Sequence, residues 1–154
     1  MTTPVVSRIG AVVDAVVALA RTIDDGLQVA DGITVGVPQS RALCIGFTDS
    51  PDRPGYTTSW ERQEGYGARL QEDFTIQCFL TLTTGDHDDG AAKRLRDDAT
   101  ALLGALDGAL RAARGRDAVW ERAGLSGAAE WVAAILPEGS ICNVRFDVVG
   151  TALL

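Results

Sequence analysis

The sequence holds few of the residues from which active sites are usually built. It has one histidine, His87, three cysteines and a single lysine, Lys93. Any catalytic triad or metal site that uses histidine must therefore run through His87. A phosphate-loop lysine cannot be placed, because no glycine-rich loop leads to Lys93. Cys44, Cys78 and Cys142 are odd in number and far apart, so neither a disulfide framework nor a zinc knuckle follows. Each sits in an apolar or alternating run, where a free cysteine acts as a small buried hydrophobe. No apolar run reaches the roughly 18 residues of a membrane span, so no membrane is expected as a partner. No basic stretch precedes the first apolar residues after Met1-Thr2-Thr3-Pro4, so no secretory signal is expected and the chain reads as assembled inside a cell. Positive charge is also short: 14 Lys and Arg against 21 Asp and Glu leave a net charge of −7. Gripping duplex DNA calls for a basic patch, so DNA is not expected to be held, although it could pass by.

The composition is otherwise that of a folded chain. At 154 residues, with 46% hydrophobic and 23% charged, it reads as one domain spanning residues 1–154 that needs no metal or disulfide to form a core. Val5, Val6, Ile9, Val12, Val13, Val16, Val17, Ala20 and Ile23 fall at helical spacing, with Thr3 as a cap, Pro4 in the first turn and Asp24-Asp25-Gly26 as the stop. Residues 27–37 read as extended, with a hairpin turn or bulge at Asp31-Gly32, and 41–48 as a buried strand. From Asp49 to Arg69 periodicity disappears among Pro51, Pro54, Gly55, Gly65 and Gly67. Long loops of this kind are usually functional, and the segment reads either as a partner-binding loop or arm or as a long hairpin tip.

Regular patterning then returns. Phe74, Ile76, Cys78, Leu80 and Leu82 alternate with Thr75, Gln77, Thr81 and Thr83, with Phe79 breaking the pattern. The aspartates around His87 are placed to cap the helix that follows. In that helix Ala92, Leu95, Ala99, Leu102, Leu103, Leu106, Leu110 and Ala113 make one apolar stripe. Residues 119–127 are ambiguous, 128–136 read as a strand ended by Pro137-Glu138-Gly139, and 141–153 alternate again through Cys142, Val144, Phe146 and Val148. The expected fold is α+β: a two-layer domain with a mixed or antiparallel sheet, two main helices on one face, and a long loop between strands.

Motifs for chemistry fail on inspection. His87 between Asp86, Asp88 and Asp89 suits a solvated capping turn better than a metal site. Gly124-Leu125-Ser126-Gly127-Ala128 has alanine where a nucleophile elbow needs glycine. Gly65-Tyr66-Gly67 lacks the third glycine and helix of a dinucleotide fingerprint. Asp97 and Asp98 are adjacent on a helix and share no face. No catalytic residue, cofactor or metal is therefore expected, and the chain does not read as an enzyme. Interface material is better represented. Arg53, Tyr56, Trp60, Arg62 and Tyr66 lie together in the aperiodic segment, where aromatic and arginine side chains suit a subunit contact. Trp131, in an apolar strand, reads as core.

The order of elements resembles the tail terminator proteins of long-tailed, siphovirus-type bacteriophages, particularly those of actinobacterial hosts. An N-terminal helix leads to a strand ending Ile33-Thr34-Val35-Gly36-Val37-Pro38, then to Ala42-Leu43-Cys44-Ile45-Gly46-Phe47 and a variable loop. A long strand through Glu72-Asp73-Phe74-Thr75-Ile76-Gln77-Cys78, an alanine- and leucine-rich helix and a closing Val144-Arg145-Phe146-Asp147-Val148-Val149-Gly150-Thr151-Ala152 complete the likeness. The preference for arginine over lysine suits a GC-rich genome. The resemblance implies a virion protein of the tail or neck, assembled in the host cytoplasm. It implies a homo-hexameric ring, with the tail-tube protein on one face and the head-closure or connector protein on the other. DNA would pass through its lumen unbound. Asp86, Asp88 and Asp89 are candidates for the lumen wall, and Arg53, Tyr56, Trp60, Arg62 and Tyr66 for the contact with a neighbouring subunit or the tube. Two alternatives stay open: another neck ring or tail-tube subunit, and a small ligand-binding or enzymatic α+β domain.

Overall fold

The structure, a computed structural model, describes residues 6–33, 40–62, 70–114 and 119–154. Two helices, α1 (Ile9–Ala20) and α2 (Ala91–Ala112), accompany seven strands: β1 (Gln28–Asp31), β2 (Arg41–Ile45), β3 (Tyr56–Arg62), β4 (Leu70–Thr84), β5 (Arg122–Leu125), β6 (Glu130–Leu136) and β7 (Gly139–Leu153). All seven strands belong to one sheet. Its spine is the antiparallel ladder of β4 and β7, in register from Gln71 opposite Leu153 to Thr84 opposite Ser140. At 15 residues each, and about 3.3 Å per residue, these strands run for roughly 50 Å.

The shorter strands flank this spine end to end. On the free side of β4, β3 pairs with residues 70–76 and β2 with residues 78–82. On the free side of β7, β5 pairs with residues 148–151 and β6 with residues 139–145. The Pro137-Glu138 turn joins β6 to β7, and Gly139 follows it at φ 145°. A Cβ there would lie 1.9 Å from the Thr84 carbonyl oxygen, so only glycine lets the two ladders meet at this corner.

Both helices cover one face of the sheet, as the α+β two-layer pattern requires. Phe74, Ile76, Cys78, Leu80 and Leu82 of β4 and Cys142, Val144, Phe146 and Val148 of β7 point into that layer and are buried. Val12, Val13, Val16, Val17 and Ala20 of α1 and Leu95, Ala99, Leu102, Leu106 and Leu110 of α2 close it from above. Ala92, Leu103 and Ala113 of the expected stripe are only half-buried at its margin, and Ala91 is buried in place of Ala92.

Four local expectations are corrected. β1 runs parallel to β2, so Asp31-Gly32 is no hairpin turn; Gly32 instead donates its N–H to the Ile45 carbonyl. Helix α1 begins at Ile9, and Thr3 and Pro4 lie outside the described residues, as do Thr34–Pro38 of the quoted strand. The segment 49–69 is not structureless: β3 forms within it, so it is an arm of the sheet, although its residues 63–69 lie outside the described ones. Helix α2 has no side-chain cap; Asp88 accepts from Gly90 N–H at 2.9 Å, closing a turn just ahead of the helix.

All three cysteines are buried, and burial pushes the Cys78 thiol up to about 12. A thiol reagent is therefore expected to leave the native protein unmodified at neutral pH and to titrate three thiols after denaturation. Rapid modification of any thiol in the folded protein would contradict the packing.

Candidate functional site

The sheet exposes large apolar and aromatic side chains along two of its edges. Among the described residues β3 pairs only with β4, and β6 only with β7, so each offers one free row of backbone N–H and C=O groups. Such edges are usually shielded by charge or covered. These two are instead dressed with large apolar side chains. Tyr56 is 47% exposed and Trp60 54% on β3; Trp131 is 44%, Val132 56% and Ile135 62% exposed on β6.

Of the residues singled out from sequence, Tyr56, Trp60 and Arg62 line up on one side of β3 at every second or fourth position. Their register opposite Ile76, Glu72 and Leu70 sets them on the helix side of the sheet. Tyr56 lies against Gly46, where a Cβ would come within 3.3 Å of its ring and where φ is 73°. Arg53 sits apart in the turn before β3, its N–H bonded to the Ser50 carbonyl at 3.1 Å. Tyr66 lies outside the described residues. Asp86, Asp88 and Asp89 are at the other end of β4, all exposed. Arg94 reaches back to Asp86 at 3.3 Å and Asp88 at 3.1 Å, which offsets part of their negative field and holds the Asp88 carboxyl below its ordinary range. His87 approaches the Pro137 carbonyl through Nε2 at 2.9 Å, tying this turn to the β6–β7 turn. The two predicted groups are thus kept at opposite ends of the sheet.

Sequence reasoning missed two features. Trp131 is not core: β6 is an edge strand, and its continuous apolar run, which reads as burial, is left largely in solvent. On the uncovered face, Phe47 and Phe79 stack with centroids 4.8 Å apart, and the Arg145 guanidinium lies over both rings at 5.4 and 5.8 Å. Arg145 also holds Asp49 at 2.7 Å. This explains Phe79, the one residue that broke the alternation of β4.

Several ion pairs, exposed or half-buried, share one sign. Asp24 beside Arg41, Asp49 beside Arg145, Asp88 beside Arg94 and Asp97 beside Lys93 all have carboxyls held below their ordinary range by hydrogen bonds from the cation. A depressed carboxyl stabilises the fold above its unfolded pKa, and that contribution is lost as pH falls through the folded pKa. Asp147, raised by burial, works in the opposite sense. The melting temperature is expected to be level near neutrality and to decline below about pH 4. Because these pairs lie at the surface, with only Asp24 and Arg41 half-buried, each effect is small and is blunted by salt; a melting temperature that rose on acidification would reverse the sign.

An open hollow of about 770 Å³ is lined by Arg111, Arg114, Arg122, Asp73 and Ser126 among others. Among the described residues its lining holds no histidine or cysteine to pair with Ser126. Among the described residues no group of three or more His, Cys, Asp or Glu side chains is arranged to hold a metal ion, and no helix is long and apolar enough to cross a membrane.

No protein-family model matches this sequence. No curated protein matches it either. Among solved structures, the chain is similar to one from the virion of a native gene transfer agent particle. The alignment covers 97% of this chain and 100% of that one, at 16% identity and a TM-score of 0.50. The two share a fold.

Proposed function

We propose that this chain is a structural component of a phage-like virion, acting as a tail terminator. Six copies would form a ring on the last ring of tail-tube subunits, end tube growth, and present the opposite face to the head-side connector while DNA passes through the lumen. The observation that carries this reading is the pair of apolar, unpaired sheet edges on a fold that a virion chain shares along its whole length. A monomer would gain nothing by exposing Tyr56, Trp60, Trp131, Val132 and Ile135 on strands open to pairing. The net charge of −7 suits a wall that phosphates pass without sticking. Arginine-rich, lysine-poor composition favours an actinobacterial host.

The test is native mass spectrometry and negative-stain imaging of the full chain, alone and with tail-tube subunits of the same particle. The expected result is a six-fold ring with a central hole, formed alone or at tube ends, and tubes that stop elongating. Tubes that grow to the same length with and without the protein, while it remains monomeric, would overturn the proposal.

A further inference from the structure

We infer that copies of this chain join head to tail through their sheets, β6 of one copy adding to β3 of the next. This names the subunit contact of the proposed ring and rests on that reading. The first support is polarity. Across the spine β3, β4, β7 and β6 alternate in direction, each pair being antiparallel. A neighbour set down in the same orientation therefore brings its β3 antiparallel to β6, and both strands are seven residues long.

Face parity is the second. Opposite residues of a ladder share a face, so Trp131, Ala133 and Ile135, paired with Val144, Cys142 and Ser140, lie on the helix side. Tyr56, Thr58 and Trp60 lie on that side of β3. Strand addition then packs Tyr56 and Trp60 of one copy against Trp131 and Ile135 of another, aromatic and β-branched pairs that suit cross-strand contact.

The geometry also fixes a stagger. With faces matched, Trp60 of one copy meets Trp131 of the next and Tyr56 meets Ile135; Trp60 stands opposite Glu72 and through it Ala152, whereas Trp131 stands opposite Val144. The offset along β7, from Val144 to Ala152, is 8 residues, or about 26 Å. Successive copies thus step diagonally, and closure requires strands tilted from the ring axis, as in a barrel with shear. Because the two surfaces differ, the contact is heterologous and leads to a ring or an open filament, not to a two-fold dimer.

The test uses two full-length variants, Ser59→Cys and Ala134→Cys, whose side chains lie on the same, uncovered face of the sheet. The native thiols are buried, so a short bismaleimide reads only the introduced ones. Crosslinking is run on each variant alone and on their mixture, with and without tail-tube subunits. A third variant, Ile135→Lys, is followed by native mass spectrometry and thermal melting.

The expected result is crosslinked product in the mixture at least tenfold above either variant alone. Ile135→Lys should lose assembly while keeping the wild-type melting temperature to within a few degrees. Rings that assemble without mixed crosslinks, or that tolerate Ile135→Lys, would overturn the strand-addition contact and leave the terminator reading standing. Head-to-tail crosslinks in a protein with no effect on tube growth would sustain the contact and overturn the terminator reading. Absence of assembly under every condition would overturn both.

Discussion

Replacing Leu106 with alanine is expected to destabilise the protein by about 3 kcal/mol, within the 2–5 kcal/mol typical of buried leucine truncations. Leu106 is 1% exposed in the middle of α2, within the core that both helices share with the sheet. Truncation removes transfer free energy and leaves a void that the hydrogen-bonded β4–β7 ladder cannot readily collapse to fill. The comparison variant is Ile135→Ala on β6, where the side chain is 62% exposed. Its cost to the isolated chain should be no more than about 0.5 kcal/mol. Urea unfolding of the two variants beside the wild type gives the measurement. Comparable losses in both would mean that β6 is covered within a single chain, and that its exposure is not assembly surface.

The same contrast shows what was legible in the sequence. The Leu95–Leu110 stripe could be read because a helix with one wet face must repeat its apolar residues every three or four positions. The spine strands β4 and β7 were legible because one face meets the helices and the other meets solvent, which forces alternation. β3 offered no such contrast. Tyr56-Thr57-Thr58-Ser59-Trp60-Glu61-Arg62 is exposed along nearly its whole length, so nothing in it separates an inner face from an outer one.

β6 misled in the opposite direction. A continuous apolar run is the signature of a strand buried on both faces, and within one chain Trp131-Val132-Ala133-Ala134-Ile135-Leu136 lies largely in solvent. If the strand is buried only when a second copy adds to it, the pattern was correct for the assembly and wrong for the monomer. The interface residues on β3 were legible by type, since a tryptophan amid polar residues stands out. Their partners on β6 were not, because a sequence does not say which of its apolar strands will end at a sheet edge.

The second large effect is expected at Glu72, whose position in the core phase of β4 gave no sign of its role. Glu72 is fully buried beneath the start of α1. One carboxylate oxygen accepts the Arg8 N–H at 2.8 Å and the other accepts the Ser7 hydroxyl at 2.6 Å, while the Ser7 hydroxyl oxygen accepts the Ile9 N–H at 3.1 Å. An acid from strand β4 thus serves the unsatisfied N–H groups at the positive end of a helix that has no side-chain cap of its own. This fixes the register of α1 over the end of the sheet where β3 is attached, since Trp60 is the β3 residue opposite Glu72. Glu72→Ala would strand those donors beside a void, at a cost of about 2–4 kcal/mol, because hydrogen bonds to a charged group contribute about 1.5–3 kcal/mol each and do not add fully. Glu72→Gln keeps one acceptor for Arg8 and offers an amide donor to the Ser7 oxygen, so it should lose only about 1 kcal/mol. Denaturant unfolding checks the ranking, and hydrogen exchange of the amides in the first turn of α1 checks its cause. Those amides should lose protection in Glu72→Ala before any in α2. If alanine and glutamine prove equally costly, the carboxylate is packing material, and the start of α1 is held by its buried valines instead.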